Sequence, residues 1–234
     1  MRISEIISDQ DKEQLNHYAD QIEPSRVYAT AKSGTQLTPK QINTLAKDAR
    51  YAYNYAYYVL NRPFPAGEDA IAKDARYAYQ YACYVIKGPF PKGEDAISKD
   101  AEYAYRYALD VLKVPFQKGE NAIVKDARYA YNYARYVLNR PFPAGEDAIA
   151  KDAKYAYHYA CYVIKGPFPA GEDAIAKDAY YASDYARDVL KSPWPKGEDA
   201  ISKDAEYAYQ YALYVLKLPE EQAKQWGSQV NGPV

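Results

Sequence analysis

Apolar and polar positions recur along this chain with a period of 26 residues. One unit reads GEDAIAKDARYAYQYACYVIKGPFPK from Gly67. Its Lys-Asp-Ala step returns at seven aspartates, from which we number repeats 1 to 7: Asp48, Asp74, Asp100, Asp126, Asp152, Asp178 and Asp204. Repetition at a fixed period of this size predicts a solenoid in which each unit stacks on its neighbours.

The tyrosine-alanine run after each aspartate alternates like a β-strand, but a helical wheel explains it better. At about 100° per residue, the positions that stay fixed between repeats form one apolar arc of about 200°. In repeat 1 this arc contains Tyr51, Ala52, Tyr53, Tyr55, Ala56, Val59 and Leu60. The variable positions lie on the opposite side: Arg50, Asn54, Tyr57 and Tyr58. The run therefore predicts a helix.

The invariant aspartate marks where that helix begins. If the helix continued backward through the Gly-Glu-Asp-Ala-Ile segment, the aspartate would lie inside the apolar arc, where an unpaired carboxylate is costly. As an N-cap it accepts a hydrogen bond from a free backbone amide, which stabilises the helix by about 1 kcal/mol. We therefore predict a short helix from Pro65 to about Lys73, a break at Asp74, and a longer helix from Ala75 to about Lys87. Pro-Phe-Pro then closes the turn.

The predicted fold class is all-α: an α-solenoid of seven 26-residue two-helix repeats with irregular caps. Residues 1–36 form an N-terminal helical cap, residues 37–218 the repeats, and residues 219–234 a capping helix with a frayed tail. Cap helices are predicted at Asp11–Ile22, Pro24–Ala31 and Pro219–Trp226, with fraying from Gly227 to Val234 and Thr38 capping a degenerate short helix.

A longer period is superimposed on the first. Residues 48–125 match residues 126–203 almost residue for residue, which makes a duplicated block of 78 residues. We interpret this match as a recent duplication without mechanical meaning. The alternative is that three repeats form a regular fraction of a superhelical turn.

The aromatic residue of each turn allows two interpretations. All five phenylalanines occupy this position, and a tryptophan takes the sixth copy: Phe64, Phe90, Phe116, Phe142, Phe168 and Trp194. We favour a packing role in which the ring locks one helical hairpin onto the next. The alternative is a series of exposed aromatic rings along one edge, where a ligand could bind.

Composition excludes several classes of partner. The net charge is −1 with acids and bases interspersed, so the chain lacks the basic surface that duplex nucleic acid requires. No segment approaches the apolar length of a membrane span. Cys83 and Cys161 occupy the same position three repeats apart, too far for a disulfide, and we expect free thiols in a cytoplasmic protein.

Candidate catalytic chemistry is sparse, and we expect no enzyme and no cofactor. The two histidines are His17, in the N-terminal cap, and His158, at a variable position where we expect it to be solvated. No cluster has metal-ligand spacing and no glycine-rich phosphate loop is present. The repeated Glu68 and Asp69 are explained as first-turn charges that complement the helix dipole.

The 29 tyrosines are the compositional anomaly. Most border the apolar arc, but one position lies on the variable side, and we call it the outer position. It holds Tyr58, Tyr84, Asp110, Tyr136, Tyr162, Asp188 and Tyr214. We predict that these residues form a binding line, flanked by residues that tune specificity: Asn54, Arg106, His158 and Asp184. Packing alone, protein binding and stacking of a nucleotide-like ligand all remain open, as does homodimerisation.

The repeat also resembles a known sequence pattern. The string DARYAYQYACYVIKGPFPKGEDAI is similar to tandem repeats of uncharacterised phage proteins, over about Thr38 to Leu218. Those relatives often carry proline after the aspartate and Gly-Arg-Trp-Pro at the turn, whereas this chain has alanine, as at Ala75, and mostly Pro-Phe-Pro. The resemblance implies a phage origin and a bacterial cytoplasm, and no activity.

We therefore expect a non-enzymatic scaffold that binds a macromolecule, foremost a host protein that a phage inhibits or redirects. Extended repeat surfaces suit such binding. One alternative is a sponge that sequesters a nucleotide-type signal molecule. A second is a structural spacer or virion component.

Overall fold

A computed structural model describes residues 23–228, which form helices and turns without a β-strand in that range. The predicted helix Asp11–Ile22 and residues 229–234 lie outside the described residues. The chain divides between Ile97 and Ser98 into two compact units, which we treat separately. Within each unit, long helices of consecutive repeats pack against each other, which confirms the predicted all-α repeat solenoid.

Each long helix begins at its predicted aspartate. Asp74 has extended backbone angles, and its Oδ1 accepts a hydrogen bond from the amide of Tyr77 at 3.0 Å. The other six aspartates cap their helices in the same way. The α-helical segments that follow are Ala49–Asn54, Ala75–Gln80, Ala101–Arg106, Ala127–Tyr133, Ala153–Tyr159, Ala179–Asp184 and Ala205–Tyr214.

The second half of the long helix is π-helical in repeats 1 to 6, which the wheel did not predict. These segments are Tyr55–Leu60, Tyr81–Ile86, Tyr107–Leu112, Ala134–Leu138, Ala160–Ile164 and Tyr185–Leu190. A bond to the fifth preceding residue widens the turn. The later side chains therefore rotate away from the arc drawn at α-helical spacing, and Val59 and Leu60 are half-buried rather than core residues.

Each long helix ends on a residue with left-handed backbone angles. Lys87, for example, has φ of 57°, and the amide of Gly88 returns to the carbonyl of Ala82 at 3.1 Å. The same conformation occurs at Asn61, Lys113, Asn139, Lys165, Lys191 and Lys217. Lysine rarely adopts this region, but the helix ends where the sequence predicted, at about Lys87.

The predicted short helices are confirmed and lie between turn and aspartate. Most consist of one 3-10 turn followed by one α-turn: Pro65–Gly67 with Glu68–Ile71, Pro91–Gly93 with Glu94–Ile97, Pro143–Gly145 with Glu146–Ile149, and Pro169–Gly171 with Glu172–Ile175. The copies Gln117–Ile123 and Pro195–Ile201 are α-helical throughout. The isoleucine that ends each short helix is fully buried.

The aromatic residues of the turns are buried and pack between helices, so the alternative of exposed rings is wrong. All six are at most 7% exposed. Phe64 meets the ring of Tyr55 edge-on at 5.2 Å, and its neighbour Gly67 leaves the room for this contact. A Cβ on Gly67 would lie 2.6 Å from both the Cβ of Ala52 and a Phe64 ring carbon.

Every repeat has a buried tyrosine at the same place in its long helix, which we call the inner tyrosine position. These seven residues are at most 9% exposed: Tyr55, Tyr81, Tyr107, Tyr133, Tyr159, Tyr185 and Tyr211. The hydroxyl of Tyr81 accepts a hydrogen bond from the amide of Phe64 at 2.8 Å and donates one to Glu68 Oε1 at 3.1 Å. It thereby joins the long helix of repeat 2 to the turn and short helix of repeat 1.

The same pair of bonds recurs at other inner tyrosines: Tyr133, Tyr159, Tyr185 and Tyr211. The carboxylates at the Glu68 position are thus hydrogen-bond acceptors for the next repeat, a role that the helix-dipole interpretation missed. Burial raises the pKa of Tyr211 to about 12, which keeps its hydroxyl protonated and able to donate.

The described caps follow the sequence closely. Pro24–Lys32 and Pro39–Ala46 are helices, and Thr38 forms a full capping box with Gln41. The closing helix is Glu220–Ser228, so Gly227 and Ser228 are helical and the prediction of fraying was wrong for them. Gly227 is buried because this helix packs closely: a Cβ there would lie 2.8 Å from the carbonyl oxygen of Ala205.

Candidate functional site

Outer tyrosines of the first unit are exposed, as the wheel predicted. Tyr58 is 59% exposed and Tyr84 is 47% exposed. Both lie beside the ring of Tyr57, at centroid distances of 4.7 Å and 6.1 Å respectively. Three neighbouring phenols therefore form one aromatic surface on repeats 1 and 2.

Outer tyrosines of the second unit form a comparable surface around a cation. Tyr136 and Tyr162 are each 49% exposed. The guanidinium of Arg135 lies 5.2 Å from the ring centroid of Tyr136 and 4.0 Å from that of Tyr162. Such cation–π contacts are attractive, and both tyrosines remain about half exposed. Tyr214 in repeat 7 is 58% exposed.

The two aspartates at the outer position differ in their surroundings. Asp110 is exposed on the surface of repeat 3. Asp188 accepts a hydrogen bond from the hydroxyl of Tyr157 at 2.8 Å and pairs with Arg187 at 2.7 Å. The hydrogen bond from Arg187 lowers the pKa of Asp188, so this carboxylate is ionised and held within a network.

The flanking residues do not share one environment. Asn54 is half-buried, and Arg106 is exposed and paired with Glu102 at 2.8 Å. Asp184 is buried, which contradicts its expected place on the solvated side. Ser183 stands beside it where other repeats carry tyrosine, and Arg187 compensates the buried charge at 2.6 Å. Burial raises the pKa of Asp184.

His158 also departs from the prediction of a solvated side chain. Its ring lies within 5.5 to 6.3 Å of four tyrosine rings: Tyr131, Tyr157, Tyr162 and Tyr181. Desolvation lowers the pKa of His158, and the nearby charges of Lys154 and Arg135 lower it further. The imidazole is therefore a neutral aromatic member of this surface at pH 7.

A groove of about 490 Å³ runs beside the outer tyrosine of repeat 1. Its lining consists of cationic, amide and phenol side chains from repeats 1 and 2, namely Arg50, Tyr53, Asn54, Tyr58, Arg76, Tyr77 and Gln80. We call it the donor groove. Sequence reasoning singled out Tyr58 and Asn54 but missed the two arginines, although arginine follows Asp-Ala in both repeats.

Other candidate chemistry is limited. Cys83 and Cys161 are free and half-buried, and burial raises the pKa of the Cys161 thiol, which disfavours the reactive thiolate. Across residues 23–228, no three His, Cys, Asp or Glu side chains are grouped so that they could hold a metal ion. No helix in the same range has the length and apolarity needed to cross a membrane.

Comparison with known proteins adds no relative: no family model, curated protein or solved structure matches this chain.

Proposed function

We propose that this chain is a non-enzymatic repeat scaffold that binds a protein partner through its outer positions. The observation that carries the proposal is the exposure of the five outer tyrosines, between 47% and 59%, beside inner tyrosines that are at most 9% exposed. Tyrosine offers a large contact area at a low cost in side-chain entropy, and it is enriched at the centres of protein interfaces.

The local backbone supports the same assignment. Six of the seven outer residues lie in the π-helical segments, as Tyr84 does in Tyr81–Ile86. π-helical turns occur frequently at functional sites. Asp110 and Asp188 interrupt the aromatic positions with negative charge, which favours a protein over a polynucleotide.

The resemblance to phage repeat proteins makes a bacterial host protein the proposed partner, and a bacterial cytoplasm the proposed location. A phage would gain by inhibiting or redirecting a host defence protein in this way. The alternative of a virion spacer differs in where the protein is found, because a spacer remains in purified phage particles.

Affinity capture from bacterial lysate tests the proposal. We compare the wild-type chain with a combined Tyr136→Ser and Tyr162→Ser variant. The control is Val114→Ser, which removes an apolar side chain that is 56% exposed but lies outside the outer positions. We expect one captured protein to be lost with the tyrosine variant and kept with the control, at an unchanged melting temperature.

Two results would overturn the proposal. One is capture that is equally strong with both variants. The other is a fall of the melting temperature by more than about 5 °C in the tyrosine variant, which corresponds to about 2 kcal/mol for a chain of this length and would identify these rings as core.

A further inference from the structure

Two arginines of the donor groove have no carboxylate partner within residues 23–228. Neither Arg50 nor Arg76 forms an ion pair with a residue of that range, and none of the residues that line the groove there is an aspartate or glutamate. The two guanidinium groups instead lie over the rings of the tyrosines that follow them, 5.7 Å from the Tyr51 centroid and 5.8 Å from the Tyr77 centroid. Two positive charges therefore line one concavity in which the described residues supply no negative charge.

The remaining groups of the groove supply further donors. Asn54 and Gln80 each present a carboxamide, and Tyr53, Tyr58 and Tyr77 present phenol hydroxyls. Desolvation raises the pKa of Tyr53, so its hydroxyl stays protonated at neutral pH. The groove thus combines cationic and neutral donors with the exposed ring of Tyr58.

The equivalent residues 78 positions later have a hydroxyl group that is already hydrogen-bonded within the chain. Arg128 and Lys154 again lie over the following tyrosine rings, at 5.4 Å and 5.5 Å. There, however, the hydroxyl of Tyr131 accepts a hydrogen bond from Arg135 at 2.5 Å. His158, which replaces Gln80, lies against the Tyr131 ring at 5.8 Å. In the second block, lysine thus stands in place of Arg76 and histidine in place of Gln80, and the phenol of Tyr131 is engaged by Arg135 of the same chain.

We propose that the donor groove binds a nucleotide, with the phosphate between the guanidinium groups of Arg50 and Arg76. Planar guanidinium groups match phosphate oxygens in bidentate geometry. The ring of Tyr58, which is 59% exposed, stacks a base, and the carboxamides of Asn54 and Gln80 donate to and accept from its edge. A volume of about 490 Å³ lies within the range of small-molecule sites.

This proposal does not depend on a protein partner, because the groove is formed by the chain alone. The test titrates purified protein by calorimetry with adenosine and guanosine monophosphates, cyclic dinucleotides, a short single-stranded oligonucleotide and inorganic phosphate. We expect one of the free nucleotides to bind with one site per chain, more tightly than the oligonucleotide or phosphate.

Charge-removing variants locate the site. The combined Arg50→Gln and Arg76→Gln change should weaken nucleotide binding at least tenfold. The matched change Arg128→Gln with Lys154→Gln alters the same positions of the second block and should leave the affinity within twofold. If the first variant does not fold, Arg50→Lys with Arg76→Lys retains the charges but loses the bidentate geometry, and should still weaken binding at least threefold.

The proposal fails if no nucleotide in this set binds, or if inorganic phosphate binds as tightly as the best nucleotide. Tighter binding of the oligonucleotide would assign the groove to single-stranded nucleic acid instead. If the two matched variants lost affinity equally, the effect would come from the overall charge of the chain, and the donor groove would not be the binding site.

Discussion

Inner and outer tyrosines stand three positions apart in the same helix and have opposite surroundings. In repeat 4, Tyr133 is fully buried and bonded through its hydroxyl to Phe116 and Glu120, whereas Tyr136 is 49% exposed. The same side chain thus connects neighbouring repeats at one position and faces solvent at the other. The high tyrosine content therefore has two separate explanations. The inner tyrosines stabilise the stack of repeats, and the outer tyrosines are available to contact a partner.

The largest expected effect comes from truncating the inner residue. Tyr133→Ala removes a fully buried ring and its two hydrogen bonds, and should reduce the free energy of unfolding by about 3–5 kcal/mol. Tyr136 is half exposed and its ring lies beside the guanidinium of Arg135, so Tyr136→Ala should cost less than about 1 kcal/mol. Denaturant unfolding of both variants measures the difference, and similar losses would contradict the distinction between the two positions.

The close packing of the turn phenylalanine beside the inner tyrosine can be tested by substituting the neighbouring glycine. A Cβ on Gly145 would lie 2.8 Å from the Cβ of Ala130 and from a ring carbon of Phe142, so Gly145→Ala should cost about 1–3 kcal/mol by overpacking. Gly166→Ala is the control, because nothing lies within 4 Å of its Cβ position. Equal melting temperatures for the two variants would show that the turn is looser than described.

The hydroxyl alone should matter at the inner position. Tyr133→Phe keeps the ring but leaves the amide of Phe116 and the carboxylate of Glu120 without this partner, at an expected cost of about 1–3 kcal/mol. Tyr136→Phe should leave the free energy of unfolding unchanged within about 0.5 kcal/mol. If Tyr133→Phe left the free energy of unfolding unchanged, the hydroxyl would not contribute to joining neighbouring repeats.

The smallest effect is expected at the cap of the same helix. Asp126 accepts a hydrogen bond from the amide of Tyr129 at 3.1 Å, so Asp126→Ala should cost about 1 kcal/mol. Asp147 is exposed in a short helix and has no capping role, and Asp147→Ala should cost less. A thermal melt compares the two, and the reverse order would contradict the capping assignment.

Much of this arrangement could be predicted from sequence because it is local. An N-cap involves groups three residues apart, so the invariant aspartate predicted every long-helix start. The bonds of Tyr81 to Phe64 and Glu68 span 17 and 13 residues, and no single-helix wheel contains them. Their only signal was the joint invariance of the tyrosine and the glutamate across repeats.

Features of the candidate site were less predictable because they depend on exceptions to the repeat. Burial of Asp184 follows from its pairing with Arg187 and from the neighbouring Ser183, which replaces a tyrosine. The donor groove combines residues of two repeats, so its arginines looked like ordinary surface charges when one helix was considered at a time.

Tyrosine nitration followed by peptide mass spectrometry tests the central distinction most directly. Burial raises the pKa of Tyr133 and shields its ring, so reaction at pH 8 should be confined to exposed phenols such as Tyr136 and Tyr162 in the folded protein. After unfolding in denaturant, inner and outer tyrosines should react alike. Our account predicts that Tyr136 and Tyr162 are modified well before Tyr133 and Tyr159. Equal modification of these four residues in the folded chain would contradict it.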